Sequence, residues 1–458
     1  ALMVISEGLI NQMRLDEAFG ISMKLLAQNR SGMFDLIANQ AAEHGDRSQS
    51  ESLLQRYNKT LENHPNAARL IIGKAILLSR LGRNDEAISS IRKTVNTLSD
   101  PQESAASYLL LSKLLVSGGE LEQALSIIKK QVQKQPENPQ LRFEYARLLT
   151  STDLEAAKEQ LLILLEKQPD NPETVLSLAL VCKELNESEN MLYYLYRLIY
   201  MGRFTDTAHL QLGEHALKTG NIPEAVEHFK RVENGREYLT SLQFQLEILL
   251  DENQLALADE LINRHQQRYP EREVQLLLLQ AEVLQSHSYF NESIAILDKS
   301  IKRFPENPDF YYSRSLALEK TGRVDESEQD LRHMLTLTPD SPMAMNALGY
   351  LLLLHKGPTA EAEALLSNAI HRAPDDAAIM DSYAWLLYKQ GKKEEALALL
   401  KEAFLLFPNH EIAAHLGEVL WVNGHHNHAK TIWQKGIEDK ADSPIIKETL
   451  ERLGASLK

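Results

Sequence analysis

Residues 377–410 read AAIMDSYAWLLYKQGKKEEALALLKEAFLLFPNH, and three of them divide the stretch into two helices with their stops. Gly391 closes a first apolar-periodic run, because glycine takes the left-handed conformation that ends a helix and turns the chain tightly. Ala396, five residues on, follows Glu394-Glu395 and opens a second run carrying Leu400 and Ala403. A residue that small lets two helices approach closely. Pro408 cannot continue a helix, so it stops the second run twelve residues after Ala396. The spacing predicts a helix-turn-helix hairpin with Tyr383-Ala384 in its first helix.

The same marks recur outward from this copy along the whole chain. Small or substituting residues stand at Ala18, Ser52, Ala87, Ala124, Ala157, Met191, Ala225, Ala258, Ser293, Ser327, Ala362, Ala396 and Ala429, about 34 residues apart on average. Glycine precedes many of them by five positions, at Gly82, Gly119, Gly220, Gly322, Gly357, Gly391 and Gly424. Proline follows by twelve at Pro136, Pro169, Pro270, Pro305, Pro339, Pro374 and Pro408. Asn138-Pro139, Asn171-Pro172, Asn307-Pro308, Ser341-Pro342 and Ser443-Pro444 read as a helix cap followed by proline in the first turn. The next copy repeats the pattern with Leu416-Gly417, Gly424, Ala429 and Trp433.

This pattern resembles the tetratricopeptide repeat family over essentially the whole chain. The resemblance implies an all-α fold: an α-solenoid, coiled as a right-handed superhelix, of about thirteen helix-turn-helix repeats with a capping helix at its C-terminal end. The organisation expected is an array over 1–185 with its first repeat incomplete, irregular repeats over 186–238, a second array over 239–443 and the cap over 444–458. The register places Ala1 two residues inside a first helix. Residues 444–453 carry Ile445, Ile446, Leu450 and Leu453 between charges, as a cap requires.

Two stretches depart from the pattern. Glycine and proline marks are weak before residue 64. Between Asn186 and Tyr238 the prolines vanish, and Met191 sits in a helix bearing Tyr193, Tyr194, Tyr196, Tyr200 and Phe204. Those rings fit either the filling of a wide gap between helices or a bend or patch that docks a partner.

Composition narrows the function. At 458 residues the chain exceeds the ~250–300 at which single cores stop growing, which a repeat protein avoids. Its formal net charge of -15 argues against nucleic acid or an anionic lipid surface as a partner. Cys182 is the one cysteine, so neither an internal disulfide nor a cysteine-based zinc site can form. It lies in an apolar helical run and reads as a buried thiol. His425, His426 and His428 lack a nearby carboxylate or thiol and read as a solvated turn. No phosphate-binding glycine loop, His-Glu-x-x-His or nucleophile elbow occurs, so the chain reads as no enzyme, with no cofactor and no metal.

In such repeats the first helices line the inner, concave wall, so binding residues recur at the repeat period. Nine positions into successive first helices stand Glu214, Glu247, Glu282, Leu316, Tyr350, Trp385 and Glu418. Tyr312, Asn346, Asp381, Tyr388 and Trp421 occupy neighbouring positions. An acidic stretch followed by aromatics suits a groove for an extended polypeptide, with carboxylates favouring basic partners. The carboxylate clamp for heat-shock chaperones needs Lys, Asn and Arg on that wall, where Glu214, Glu247 and Glu282 stand instead.

A narrower likeness lies in the C-terminal third. Asn346-Ala-Leu-Gly-Tyr350, Asp375 to Ile379, Asp381-Ser-Tyr-Ala-Trp385, and Glu411 to Trp421 with Trp433 resemble proteobacterial outer-membrane tetratricopeptide lipoproteins of the LbcA type, adaptors of the carboxyl-terminal processing protease CtpA. That resemblance implies a periplasmic adaptor that holds the protease and presents peptidoglycan hydrolases, anchored to the outer membrane by a lipid outside these residues. The alternatives are an assembly scaffold for a secretin, pilus or exopolysaccharide exporter and, for location, the cytoplasm.

Overall fold

The computed structural model describes residues 2–28, 32–95, 98, 100–233 and 235–457. Ala1, where the register opens, lies outside them. The chain divides into two compact units, Ala1–Glu233 and Asn234–Lys458. Among the described residues all regular structure is helical, and apart from a single 3-10 turn at Pro270–Arg272 it comes as thirteen pairs and a final single helix.

The first unit holds seven pairs. They are α1 (Leu2–Asn11) with α2 (Leu15–Leu26), α3 (Phe34–His44) with α4 (Arg47–Asn63), and α5 (Ala68–Arg80) with α6 (Asn84–Val95). Then come α7 (Pro101–Ser117) with α8 (Leu121–Lys134), and α9 (Pro139–Leu149) with α10 (Leu154–Lys167). The last two are α11 (Pro172–Glu184) with α12 (Ser188–Met201), and α13 (Thr205–Lys218) with the short α14 (Ile222–Phe229).

The second unit holds six pairs and the cap. It opens with α15 (Glu237–Asp251) and α16 (Leu255–Arg268), α17 (Glu273–Ser286) and α18 (Phe290–Arg303), and α19 (Pro308–Lys320) and α20 (Val324–Leu337). It continues with α21 (Pro342–Lys356) and α22 (Ala360–Arg372), α23 (Ala377–Lys389) and α24 (Lys393–Leu406), and α25 (His410–Val422) and α26 (His426–Asp439). The cap is α27 (Pro444–Leu453).

Each pair is held by the residues that announced it. Ala87, Ala124, Ala157, Ala225, Ala362, Ala396 and Ala429 are wholly buried where second helix meets first. First helices answer with small residues of their own: a Cβ on Gly417 would lie 2.1 Å from Trp433 Nε1, and one on Gly213 would lie 2.4 Å from the Phe229 ring. Asn138, Asn171, Asn307, Ser341 and Ser443 all cap helices, each accepting a bond from a backbone N–H two or three residues on. Successive first helices also pack on one another, α5 on α7 on α9 in the first unit and α21 on α23 on α25 on α27 in the second. Second helices meet chiefly the first helices on either side.

The weakly marked N-terminal stretch shifts one position. In α4 the buried small residue is Ser50, wholly shielded, and Ser52 is exposed. Asp46 caps α4 through Gln49 N, so the helix starts at Arg47 and Ser50 takes the place Ala87 holds in α6. Gly45 stands five residues before Ser50, but its backbone is extended at φ -82° and not left-handed. Here α3 packs more on α5 than on its own partner, because Gly73 leaves room for the Phe34 backbone and the Tyr57 ring.

The irregular stretch is also explained. Where glycine is missing from the turn, Asn186, Asn253, Ser288 and Met13 adopt the left-handed conformation instead. Gly202 closes α12 at φ 63° and Phe204 turns into α13 at φ 51°, so no proline is needed. Tyr194 is buried, but Tyr193, Tyr196 and Tyr200 project into solvent, so these rings do not fill a gap between helices.

Candidate functional site

The first helices present the repeating positions, and their state changes along the chain. In the first unit Glu214 on α13 is half-buried and accepts a hydrogen bond at 2.7 Å from Lys183 Nζ on α11. In the second unit Glu247 on α15 accepts one at 2.8 Å from Gln243, a turn back on the same helix. Glu282 on α17 and Leu316 on α19 are exposed. In the second unit this part of the face is open at Glu282 and Leu316.

From α21 onward the face becomes a packed aromatic and ionic network. Tyr350 on α21 reaches two repeats along, its hydroxyl 3.4 Å from His415 Nε2 on α25. His415 Nδ1 lies 2.9 and 2.8 Å from the two carboxylate oxygens of Asp381 on α23. A carboxylate accepts only, so Nδ1 carries the proton, and in the neutral ring Nε2 accepts from Tyr350. Trp385 stacks on the same imidazole with ring centres 4.1 Å apart. Burial pushes the Tyr350 phenol well above its ordinary value, with Asp381 and Glu411 adding to it. Tyr312 on α19 is raised in the same way by burial and by Glu411.

A second cluster adjoins the first. Tyr388, its ring 5.0 Å from Trp385, donates to Glu418 at 3.3 Å. Glu418 also takes both terminal nitrogens of Arg452 on α27, one of them at 2.8 Å. Burial, then the Glu418 charge, pushes the Tyr388 phenol up to about 12. Lys389 Nζ stands 4.5 Å above the Trp385 ring. Two buried polar atoms, Trp385 Nε1 and Asn346 Oδ1, have no hydrogen-bond partner within the chain.

The expected ladder is therefore of two kinds. Glu282, Tyr312, Tyr350 and Tyr388 keep surface of their own, as do Glu214 and Glu247. Asp381, Trp385 and Glu418 are buried inside the wall and not displayed from it. The physical reason is the close packing of α21, α23, α25 and α27, which brings opposite charges one repeat apart into contact. Trp421 turns toward the second helix of its pair, its ring 5.7 Å from Trp433 and 4.2 Å from His426.

Comparison with known proteins agrees with this architecture. Family models described as tetratricopeptide repeat match residues 278–342 and 353–416. The TPR repeat-containing protein PA4667 of Pseudomonas aeruginosa is 33% identical over 406 residues, 88% of this chain and 68% of that protein. The chain belongs to the tetratricopeptide repeat family. Among solved structures, a chain of the APC/C hetero-tetramer Cut9-Hcn1 is similar over 99% of this chain and 96% of its own, with 14% identity and a TM-score of 0.40. A tetratricopeptide repeat protein of Parabacteroides merdae is similar over 55% of this chain and 99% of its own, with 16% identity and a TM-score of 0.41.

Tetratricopeptide arrays are protein-interaction scaffolds. Among the described residues no group of three or more His, Cys, Asp or Glu side chains could hold a metal ion. No described helix is long and apolar enough to cross a membrane. Cys182 is buried, and burial together with Glu187 pushes its thiol up to about 11, so it stays neutral. Reading first-helix positions alone missed His415, Arg452 and Lys389. A signal did exist for two of them: His415 follows Asp381, and Arg452 follows Glu418, by 34 residues.

Proposed function

We propose that this tetratricopeptide repeat protein is a non-catalytic adaptor whose first-helix face holds a partner polypeptide. The observation that carries the reading is that first helices of successive repeats in the second unit keep carboxylates and half-buried tyrosines at the surface: Glu247, Glu282 and Tyr350 at one repeating position, with Tyr312 and Tyr388 at positions beside it. Rings supply contact area at low entropic cost, and the carboxylates favour a basic client. Asn346 joins this contact surface, and Asp381, Trp385 and Glu418 hold it rigid from behind. Glu214 is an acidic position on the first unit's own first helices, and Trp421 lies near the cap in the second unit.

The finer proposal follows the likeness of residues 346–433 to the LbcA-type lipoproteins. In it the protein works on the periplasmic side of the outer membrane, anchored by a lipid outside these residues. It holds a carboxyl-terminal processing protease and delivers peptidoglycan hydrolases, raising cleavage through local concentration. The test is reconstitution: the purified protein should co-elute with such a protease and accelerate its cleavage of a cell-wall hydrolase. Absence of both co-elution and acceleration overturns the protease reading, and recovery of secretin, pilus or exopolysaccharide-export components from envelope extract would replace it.

A further inference from the structure

The repeats of one chain are controls for one another. Counting from the buried small residue of each second helix, the positions five and nine residues on face outward. Five on, other repeats carry Arg92, Lys129, Lys230, Arg332 and Lys401, with Leu162 in α10; nine on, they carry Gln133, Glu166, Gln267 and Lys302, with Leu405 in α24, and none of these is aromatic. In α12 these places hold Tyr196 and Tyr200, and the place two residues on, glutamate in α10, α14 and α16, holds Tyr193. Stacking of repeats therefore requires no ring at any of them. All three are exposed, Tyr200 by 93%, and they form one stripe at helical spacing, with Phe204, 37% exposed, in the turn beyond the helix end. An exposed apolar stripe that the fold does not need marks an interaction surface.

The surroundings select the partner. Lys158 pairs with Glu187 at the start of α12, and Arg197 donates to the Pro169 carbonyl at 2.6 Å, so α10 runs beside the stripe. That flank adds Leu162, 41% exposed, between Glu155, Glu159 and Glu166, with Glu189 on α12 itself. Lys158, Lys167 and Arg197 are each engaged within the chain, and Arg203 is exposed beyond the helix end. We propose that the α12 stripe docks a basic amphipathic helix of a partner protein, whose apolar face covers Tyr193, Tyr196, Tyr200 and Leu162 and whose Lys or Arg residues meet the α10 carboxylates. This surface lies on a second helix and does not depend on the reading of the first-helix face.

The test uses the full chain and a labelled Leu/Lys amphipathic peptide of about 18 residues, titrated by fluorescence anisotropy. The variant Tyr193→Glu, Tyr196→Lys, Tyr200→Gln borrows residues from sibling repeats and leaves the net charge unchanged. It is expected to keep the helical signal and melting temperature and to bind the peptide about tenfold more weakly. If the triple variant melts early, Tyr200→Gln alone should still weaken binding about threefold, because that ring is solvent-exposed. Unchanged affinity in the variants overturns the proposal. So does equal binding of a Leu/Glu peptide, or a parent chain that sediments as a dimer while the variant is a monomer, which would make a second copy the occupant.

Discussion

Glu418 keeps 2% of its side chain in contact with water, and a carboxylate so placed is tolerable only when its charge is matched and its oxygens are bonded. Arg452 supplies the charge and Tyr388 a further bond. Arg452→Ala leaves the carboxylate uncompensated and should cost about 1–3 kcal/mol, since the arginine side chain is 53% exposed and the pair is partly screened by solvent. Replacing both partners by leucine should recover most of that, since the pair itself bears a desolvation cost; a double variant as unstable as the single one would refute this account. Trp385→Ala belongs to the same category. The residue is 5% exposed and stacked on His415, so the substitution should remove about 3–5 kcal/mol of stability through packing, apart from any contact with a client. A buried histidine pair gives a pH prediction. His209 Nδ1 and His228 Nδ1 lie 3.0 Å apart, and burial first, then the neighbouring ring, lowers His209 from 6.5 to about 4. His228 is lowered too, chiefly by burial. Because the folded value lies below the unfolded one, the neutral pair contributes its full stability above pH 6.5 and loses it as pH falls toward 4. Between pH 7.5 and 4.5 the parent should lose roughly 1–3 kcal/mol more than His209→Gln, read from thermal melts at each pH. Equal losses would show that the pair carries no such linkage.

The turn between paired helices follows one rule in all pairs but α3–α4 and α9–α10, where Gly45 and Thr152 are not left-handed. The residue five before the small one is left-handed in Gly82, Gly119, Gly220, Gly322, Gly357, Gly391 and Gly424, and equally in Met13, Asn186, Asn253 and Ser288. Side chains other than glycine hold that conformation at a cost of about 1 kcal/mol. Ser288 is exposed with φ at 65°, so Ser288→Gly should stabilise the α17–α18 pair by about 0.5–1 kcal/mol in a thermal melt. Gly417→Ala should act in the opposite direction by about 1–3 kcal/mol, since its methyl would meet the Trp433 ring. The same rule shows what could be read from sequence. Glycine, alanine and proline at fixed offsets revealed the thirteen pairs and the cap, because each is tied to a backbone conformation or a close approach. Asn186 and Ser288 were opaque as turn residues, because their types also occur inside helices. Ser52 stood in for Ser50 because serines lie on both sides of the true position, and the cap at Asp46 decides between them only once the helix start is known.

At the scale of the molecule the binding face was legible as a set of positions but not as an environment. A period of about 34 locates Tyr350, Asp381, Trp385 and Glu418 on first helices. It does not tell how closely those helices pack, and that distance decides whether a carboxylate meets water or the next repeat's histidine. The dependence on neighbours has an energetic consequence. In a repeat array stability is approximately a sum of units and adjoining interfaces, so a lesion is felt locally. The cap is the clearest place to see it. Ile446 is 1% exposed against the preceding pair, Arg452 neutralises Glu418, and Leu450 and Leu453 pack on the same core. Removing residues 444–458 therefore strips an apolar cover from α25 and α26 and leaves a buried charge unpaired, together worth about 3–5 kcal/mol or more. Hydrogen exchange should then accelerate about a hundredfold or more in α25 and α26, fade through α23 and α24, and leave α1–α14 at parent rates. A uniform loss of protection across α1–α27 would mean instead that the chain unfolds as one cooperative body, and the nearest-neighbour description would have to be abandoned.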